Sequence, residues 1–329
     1  MVLFSQEAIE NRPLLLSEVS VPAYGNFDLL VKVSYCGVCR TDLHIVEGDL
    51  PLKTAPLIPG HQVVGTIVEK GNSCRRFNVG DCVGFGWLRF TCGNCAYCKS
   101  GRENLCENAR YTGYHEQGGY AEFAVIPEAF AYPIPPGFSE ALAAPLLCAG
   151  IIGYRALSRS HLPPKGKLGI FGFGSSAHII LQMALSRGCH VFVITRSKRH
   201  QEFALQLGAD WAGSQVEALP KKLDSAIVFA PAGEVVPLAL QSIDKGGTVV
   251  LAGIHMSDIP AMHYEEHLFH EKQLLSVESN TREDGMALLN EAAKISLKPH
   301  IQVFPLSEAN EALIQLKQGK IDGTAVLKI

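Results

Sequence analysis

Apolar and polar positions follow two different patterns along the 329 residues, and the change between them divides the chain. Up to about Ile134, short β-rich runs such as LLVKVSYCG (29–37) and VVGTIVEKG (63–71) are broken by Gly and Pro, a pattern that predicts an irregular β-barrel with long loops. From about Lys167 the order becomes strand, helix, strand. KLGIFGF (167–173), HVFVIT (190–195), LDSAIVFA (223–230) and GGTVVLAG (246–253) read as strands. SSAHIILQMALSRG (175–188), KRHQEFALQLGA (198–209) and EVVPLALQSI (234–243) read as the helices between them. Regular alternation at this spacing predicts right-handed βαβ units and a parallel, doubly wound sheet, so the fold class is α/β. PLSEANEALIQLKQGK (305–320) and TAVLKI (324–329) add an amphipathic helix and a last strand.

Length and composition sharpen this picture. A chain of this length exceeds one ordinary core and predicts two domains. With 47% hydrophobic and 19% charged residues and a formal net charge of −3, no field of one sign draws it to nucleic acid or anionic lipid. A small-molecule substrate is expected, with neither nucleic acid nor membrane as partner. The longest apolar stretch, Ala141 to Ile152, contains Pro145 and is too short to span a bilayer. MVLFSQEAIENRP at the start has no apolar signal-peptide core, and ten cysteines without an export signal predict a reducing, cytoplasmic location.

Chemistry concentrates first in CGNCAYCKSGRENLC. Cys92, Cys95, Cys98 and Cys106 stand at a spacing that lets four thiolates converge on one Zn²⁺, whereas neighbours this close form disulfides poorly. Four sulfurs leave no open position, so that metal is expected to hold a loop and take no part in chemistry. Second, GFGSSA places Gly172 and Gly174 after an apolar strand and Ser175, Ser176 and Ala177 at a helix start, the arrangement that receives a dinucleotide pyrophosphate. At the end of the next strand an NAD enzyme carries Asp or Glu for the ribose hydroxyls. Here stand Thr195, Arg196, Ser197 and Lys198, so NADP(H) is expected over NAD(H).

GVCRTDLH, PGHQVVG, VGDCVGF, the cysteine loop, CAG, the GFG turn and PLSEANEAL, in that order, resemble the zinc-dependent alcohol dehydrogenases of the medium-chain dehydrogenase/reductase superfamily over essentially the whole chain. The resemblance implies a GroES-like barrel catalytic domain, residues 1–145 and 290–329, with a Rossmann domain inserted at 146–289. It implies a catalytic zinc on Cys39, His61 and Cys148, hence two zincs per chain, and a fourth position open to substrate. Asp42 matches the carboxylate that orients the ligating His, Thr41 the hydroxyl facing the alcohol, and His44 the outer end of a proton relay. Arg40 and Ile254 match cofactor-contacting positions, and Leu50 and Trp87 substrate-pocket walls. The implied reaction is reversible hydride transfer between an alcohol and a nicotinamide, by a homo-oligomer, dimer or tetramer. A polyol or cinnamyl-type dehydrogenase is the alternative within the superfamily, and a zinc module binding nucleic acid the remote one outside it.

The chain departs from the family pattern at three places. Gln62 replaces the usual Glu after the ligating His and removes a negative charge behind the metal. Gly323-Thr324 lacks the Arg that many members place in the last strand. Leu50 stands where small-alcohol enzymes often have Trp, which leaves room for substrates larger than ethanol.

Overall fold

In the computed structural model, which describes residues 1–329, the β-rich runs pair into one seven-stranded sheet. Its order is Ile301–Pro305, Thr324–Lys328, Asp28–Gly37, Gln62–Lys70, Cys82–Phe85 and Tyr132–Pro133, with Phe123–Pro127 also paired to Asp28–Gly37. Only the first two neighbours run parallel. Asp28–Gly37 is the hub. One edge pairs with Gln62–Lys70; the other is shared, Phe123–Pro127 covering Asp28 to Lys32 and Thr324–Lys328 covering Tyr35 to Gly37. Register shifts at Leu30/Val31 and Val33/Tyr35 bend the hub strand, as bulges do. Leu29, Val31, Val63, Ile67, Phe85 and Ile126 are fully buried and form the centre of this unit's core.

The alternating second half forms a six-stranded parallel sheet. Across it lie Trp211–Gly213, His190–Ile194, Lys167–Phe171, Leu223–Val228, Ile243–Leu251 and Gln273–Ser276. Counted in chain order this is 3-2-1-4-5-6, the doubly wound Rossmann arrangement, whose ligand crevice lies at the carboxyl ends of strands 1 and 4. Near-continuous apolar runs make these strands, because a parallel sheet covered by crossing helices is buried on both faces. Ile170, Val193, Ile227 and Val250 are fully buried accordingly.

The structural division falls elsewhere than the expected 145/146 and 289/290. One unit comprises Met1–Ala149, Ser279–Ala293 and Pro299–Ile329; the other comprises Gly150–Glu278 with Lys294–Lys298. The expected cut at residue 290 would fall inside the 13-residue helix Arg282–Lys294. Most of that helix belongs with the barrel sheet because its start is anchored there. Arg282 grips the Glu103 carboxylate through Nη2 at 2.6 Å and Nε at 3.0 Å, its backbone N–H donates to the same carboxylate at 2.8 Å, and its guanidinium lies over the Phe130 ring. Asn280 donates to the Tyr132 hydroxyl beside it. No single helix is long and apolar enough to cross a membrane.

Burial alone would raise the Glu103 pKa, but the hydrogen bonds and charge of Arg282 outweigh it and hold the carboxyl below the usual range. A lowered folded pKa means that this stabilisation is complete above the ordinary Glu value of about 4.3 and is lost as pH falls through the folded value. Arg282→Met and Glu103→Gln are each expected to lower stability by about 1–2 kcal/mol at pH 7, with the double variant no worse than the worse single. Urea titrations should show Glu103→Gln with a shallower loss of stability below pH 4 than wild type.

Candidate active site and metal centres

Cys39 stands where the hub strand passes into the helix Arg40–Glu47, as its N-cap. Asp42, in the first turn, accepts the Cys39 N–H on Oδ2 at 2.8 Å, which satisfies a donor the helix leaves open. The other oxygen, Oδ1, lies 2.9 Å from His61 Nδ1. His61 therefore donates Nδ1–H to Asp42, which leaves Nε2 on the other edge of the ring. That Nε2 is buried and has no partner among the protein atoms. Gly60, just before it, sits at φ +96°, and a Cβ there would come within 2.3 Å of the Tyr120 ring. Only glycine accepts both conditions.

Cys148 follows the turn Ala144–Leu147 and precedes the helix Ala149–Arg159. Its Sγ lies 3.9 Å from Cys39 Sγ, and the two sulfurs and an imidazole nitrogen of His61 all lie within 4.8 Å of one another. A tetrahedral zinc with bonds of about 2.3 Å has ligand edges of about 3.8 Å, whereas a disulfide needs about 2.05 Å. The donor set, two sulfurs and one aimed imidazole, thus fits zinc with one position left open. Burial opposes charge on His61, yet Asp42 on one side and Cys39 on the other push its pKa up to about 10. The hydrogen bond between the two thiols drives Cys39 well below and Cys148 well above the ordinary thiol value, so the pair readily carries one negative charge. The cluster favours a cation at its centre, and a metal ion would replace the proton.

The second cluster is local. Cys92, Cys95, Cys98 and Cys106 bring four sulfurs within 4.8 Å of one another, with separations of 3.5 Å for 95–98 and 92–106 and 4.0 Å for 92–98. These bracket the same tetrahedral edge. Backbone N–H groups of Cys92, Cys95 and Cys98 point at sulfurs from 3.4 to 3.5 Å. Donors from Asn94 and Cys95 pull the Cys92 pKa down to about 6, which favours the thiolate a metal needs.

Around the first cluster, Thr41 is buried with its hydroxyl 3.6 Å from Cys39 Sγ. His44 lies on the same helix and its Nδ1 is 2.7 Å from Asp49 Oδ2, a partner the sequence did not announce. Gln62 is buried, and its Oε1 has no partner. Trp87 meets His61 edge-on at 5.1 Å and is stacked with Tyr111 at 4.7 Å and Tyr114 at 5.7 Å, so it forms a braced aromatic wall. Leu50 is half-buried and tied through its N–H to the His44 carbonyl. Arg40 is exposed at the helix start. Tyr120, which sequence reasoning missed, is fully buried and donates its hydroxyl to Asp42 Oδ2 at 3.2 Å. No local signal marks it, because 78 positions separate the two residues.

In the second unit the glycine turn occupies the expected crevice. Gly172, at φ +86°, lies against Ala230 of the neighbouring strand end, where a Cβ would come within 2.8 Å of its nitrogen. Gly174 caps the helix Ser175–Ser186, and a Cβ built on it would meet nothing within 4 Å, so its face is open to a phosphate. Gly172 N–H donates to Ile194 O, which brings the end of the second strand alongside. There Thr195 and Ser197 are half-buried and Arg196 and Lys198 exposed. Ser197 has a structural task as well, accepting the His200 N–H as helix N-cap. Ile254 is 62% exposed on the turn after Ile243–Leu251.

The Alcohol dehydrogenase GroES-like domain family matches residues 25–136, and the Zinc-binding dehydrogenase family matches residues 177–294. A probable alcohol dehydrogenase, AdhA, of Mycobacterium tuberculosis is 49% identical over 326 residues, 98% of this chain and 94% of the relative. The chain belongs to the zinc-dependent alcohol dehydrogenases of the medium-chain dehydrogenase/reductase superfamily. Among solved members, CAD from Helicobacter pylori, complexed with NADP(H), superimposes with a TM-score of 0.85 at 25% identity, covering 93% of this chain and 91% of that one. Acetophenone reductase from Geotrichum candidum, in complex with NAD, gives 0.88 at 25% identity, covering 100% and 96%. As a member, the protein is a nicotinamide-dependent alcohol oxidoreductase acting on small-molecule alcohols and carbonyl compounds.

Gly60→Ala is expected to destabilise the protein by about 3 kcal/mol or more, since a clash with Tyr120 adds to left-handed strain. Thermal melts at fixed zinc and protein concentration measure the loss.

Proposed function

We propose that this enzyme interconverts alcohols with aldehydes or ketones at a zinc held by Cys39, His61 and Cys148, with a second zinc in the four-cysteine loop. The observation that carries the reading is a buried His61 Nε2 without a hydrogen-bond partner, on an imidazole grouped within 4.8 Å with two sulfurs that lie 3.9 Å apart. Zinc bound there supplies Lewis-acid chemistry, polarising the substrate oxygen and lowering the pKa of an alcohol. Asp42 fixes the His61 tautomer so that Nε2 stays a donor to the metal. Thr41 holds the substrate hydroxyl and takes part in moving its proton, and His44, with Asp49 fixing its ring, stands at the outer end of that path. Trp87, braced by Tyr111 and Tyr114, forms a flat apolar wall that excludes water and favours bulky or aromatic substrates. Leu50 in place of a larger side chain supports the same substrate class.

The nicotinamide accepts or returns hydride when bound. Gly172, Gly174, Ser175 and Ser176 receive its pyrophosphate, and Arg196, with Thr195 and Ser197, meets a ribose 2′-phosphate, so NADP(H) is preferred over NAD(H). Arg40 and Ile254 are assigned to the cofactor on the family pattern. A homo-oligomer, dimer or tetramer, in the cytoplasm completes the reading.

Zinc analysis by mass spectrometry is expected to find two zincs per wild-type chain and one in Cys39→Ser and in Cys98→Ser. Cys39→Ser should melt near the wild-type temperature yet lose turnover at least a thousandfold, whereas Cys98→Ser should lower the melting temperature. Retained turnover in Cys39→Ser lacking that zinc would sink the assignment. With a panel of alcohols and aldehydes, Arg196→Ala should raise KM for NADPH by about tenfold or more and leave KM for NADH unchanged.

A further inference from the structure

We propose that Tyr120 is a positioning residue for the Cys39, His61 and Cys148 site, its hydroxyl locking the Asp42 carboxylate in the one rotation that serves both Cys39 and His61. The inference rests on the zinc assignment made above and concerns what keeps that site in shape.

Asp42 is fully buried, and three donors replace its solvent. Oδ2 takes the Cys39 N–H and the Tyr120 hydroxyl, and Oδ1 is left for His61 Nδ1. An aspartate's terminal torsion is broad and two-fold, so the Cys39 N–H alone does not hold the carboxylate plane toward the imidazole. A second donor on Oδ2, reaching in from another segment, fixes it. The Tyr120 hydroxyl remains a donor under all ordinary conditions, because burial first and the Asp42 charge second push its pKa well above 10.

The placement of Tyr120 does not depend on that hydroxyl. Segment 118–120 runs along segment 58–60, with Gly118 N–H donating to Ile58 O, Gly119 N–H to Gly60 O and Tyr120 N–H to Pro59 O, from 2.6 to 3.0 Å. The ring lies against Gly60, the residue before the ligand His61. One side chain therefore backs the ligand's main chain with its ring and orients the ligand's imidazole, through Asp42, with its oxygen. Removing the oxygen alone separates the two roles.

Tyr120→Phe keeps the ring and the three backbone hydrogen bonds. On exposure of the two-zinc enzyme to excess chelator, the variant is expected to release the catalytic zinc at least tenfold faster than wild type while the four-cysteine zinc leaves at the wild-type rate. In an Asp42→Asn background, where the carboxylate is gone, Tyr120→Phe should add less than a twofold change. With cobalt at the catalytic site, the variant's ligand-field spectrum should differ from that of wild type, which a merely structural role would not produce. Equal release rates, or equal acceleration at both sites, would overturn the role of Tyr120 and leave the zinc assignment standing. A wild-type chain holding only the four-cysteine zinc would overturn both. Should Tyr120→Phe fail to fold, 3-fluorotyrosine placed at position 120 alone supplies the same decision. Its ¹⁹F resonance shifts on removal of the catalytic zinc if the proposal holds and stays fixed if it does not.

Discussion

One buried carboxylate organises the active unit. Asp42 closes the start of the helix Arg40–Glu47 by accepting the Cys39 N–H, and the same group sets the tautomer of His61. Cys39 and His61, the two residues proposed as metal ligands that lie 22 positions apart in the chain, thereby depend on one side chain. A carboxylate without solvent is tolerated only while donors surround it. The Cys39 N–H, His61 Nδ1 and the Tyr120 hydroxyl meet that need. With Gln62 in place of an acid beside the site, Asp42 contributes the negative charge that the first cluster feels most strongly through His61.

The two cysteine clusters reach a spacing that suits a metal by different physics. In the loop 92–106, ligand spacing and backbone N–H groups do the work, and the surroundings are wet. At Cys39, His61 and Cys148 the ligands come from three separated segments, and a braced aromatic wall, Trp87 with Tyr111 and Tyr114, stands beside them. A loop that closes on itself is suited to holding structure. A site assembled from distant segments in a partly dry setting is suited to altering the chemistry of a bound oxygen.

This difference also governs how much the sequence revealed. The four-cysteine loop and the GFGSSA turn are legible because their geometry is written in consecutive residues, and the strand-helix alternation implies a parallel, doubly wound sheet, whose 3-2-1-4-5-6 order only the structure supplies. The grouping of Cys39, His61 and Cys148 was suggested only by their order within a known family pattern, and the fold brings their ligand atoms within 4.8 Å of one another. Tyr111, Tyr114 and Tyr120 stayed hidden, since a side-chain contact across many residues leaves no periodic trace, and Asp49, five residues from His44, stayed hidden because no spacing rule marks that pair. The boundary expected at 289/290 differs for a related reason, since the helix Arg282–Lys294 is anchored by Arg282 meeting Glu103, 179 positions earlier.

The hub strand Asp28–Gly37 completes its pairing with residues from the far side of the inserted unit. Thr324–Lys328 covers Tyr35 to Gly37, and Val38, next to Cys39, donates its N–H to Ala325 at 2.8 Å. During synthesis from the N-terminus, the ribosome delivers Cys39, His61 and Cys148 long before the strand that pins the approach to Cys39. Every residue of the nucleotide-binding unit, by contrast, emerges before that strand. The Cys39, His61 and Cys148 pocket, though its residues emerge early, thus has a scaffold that closes only after the nucleotide-binding unit has emerged.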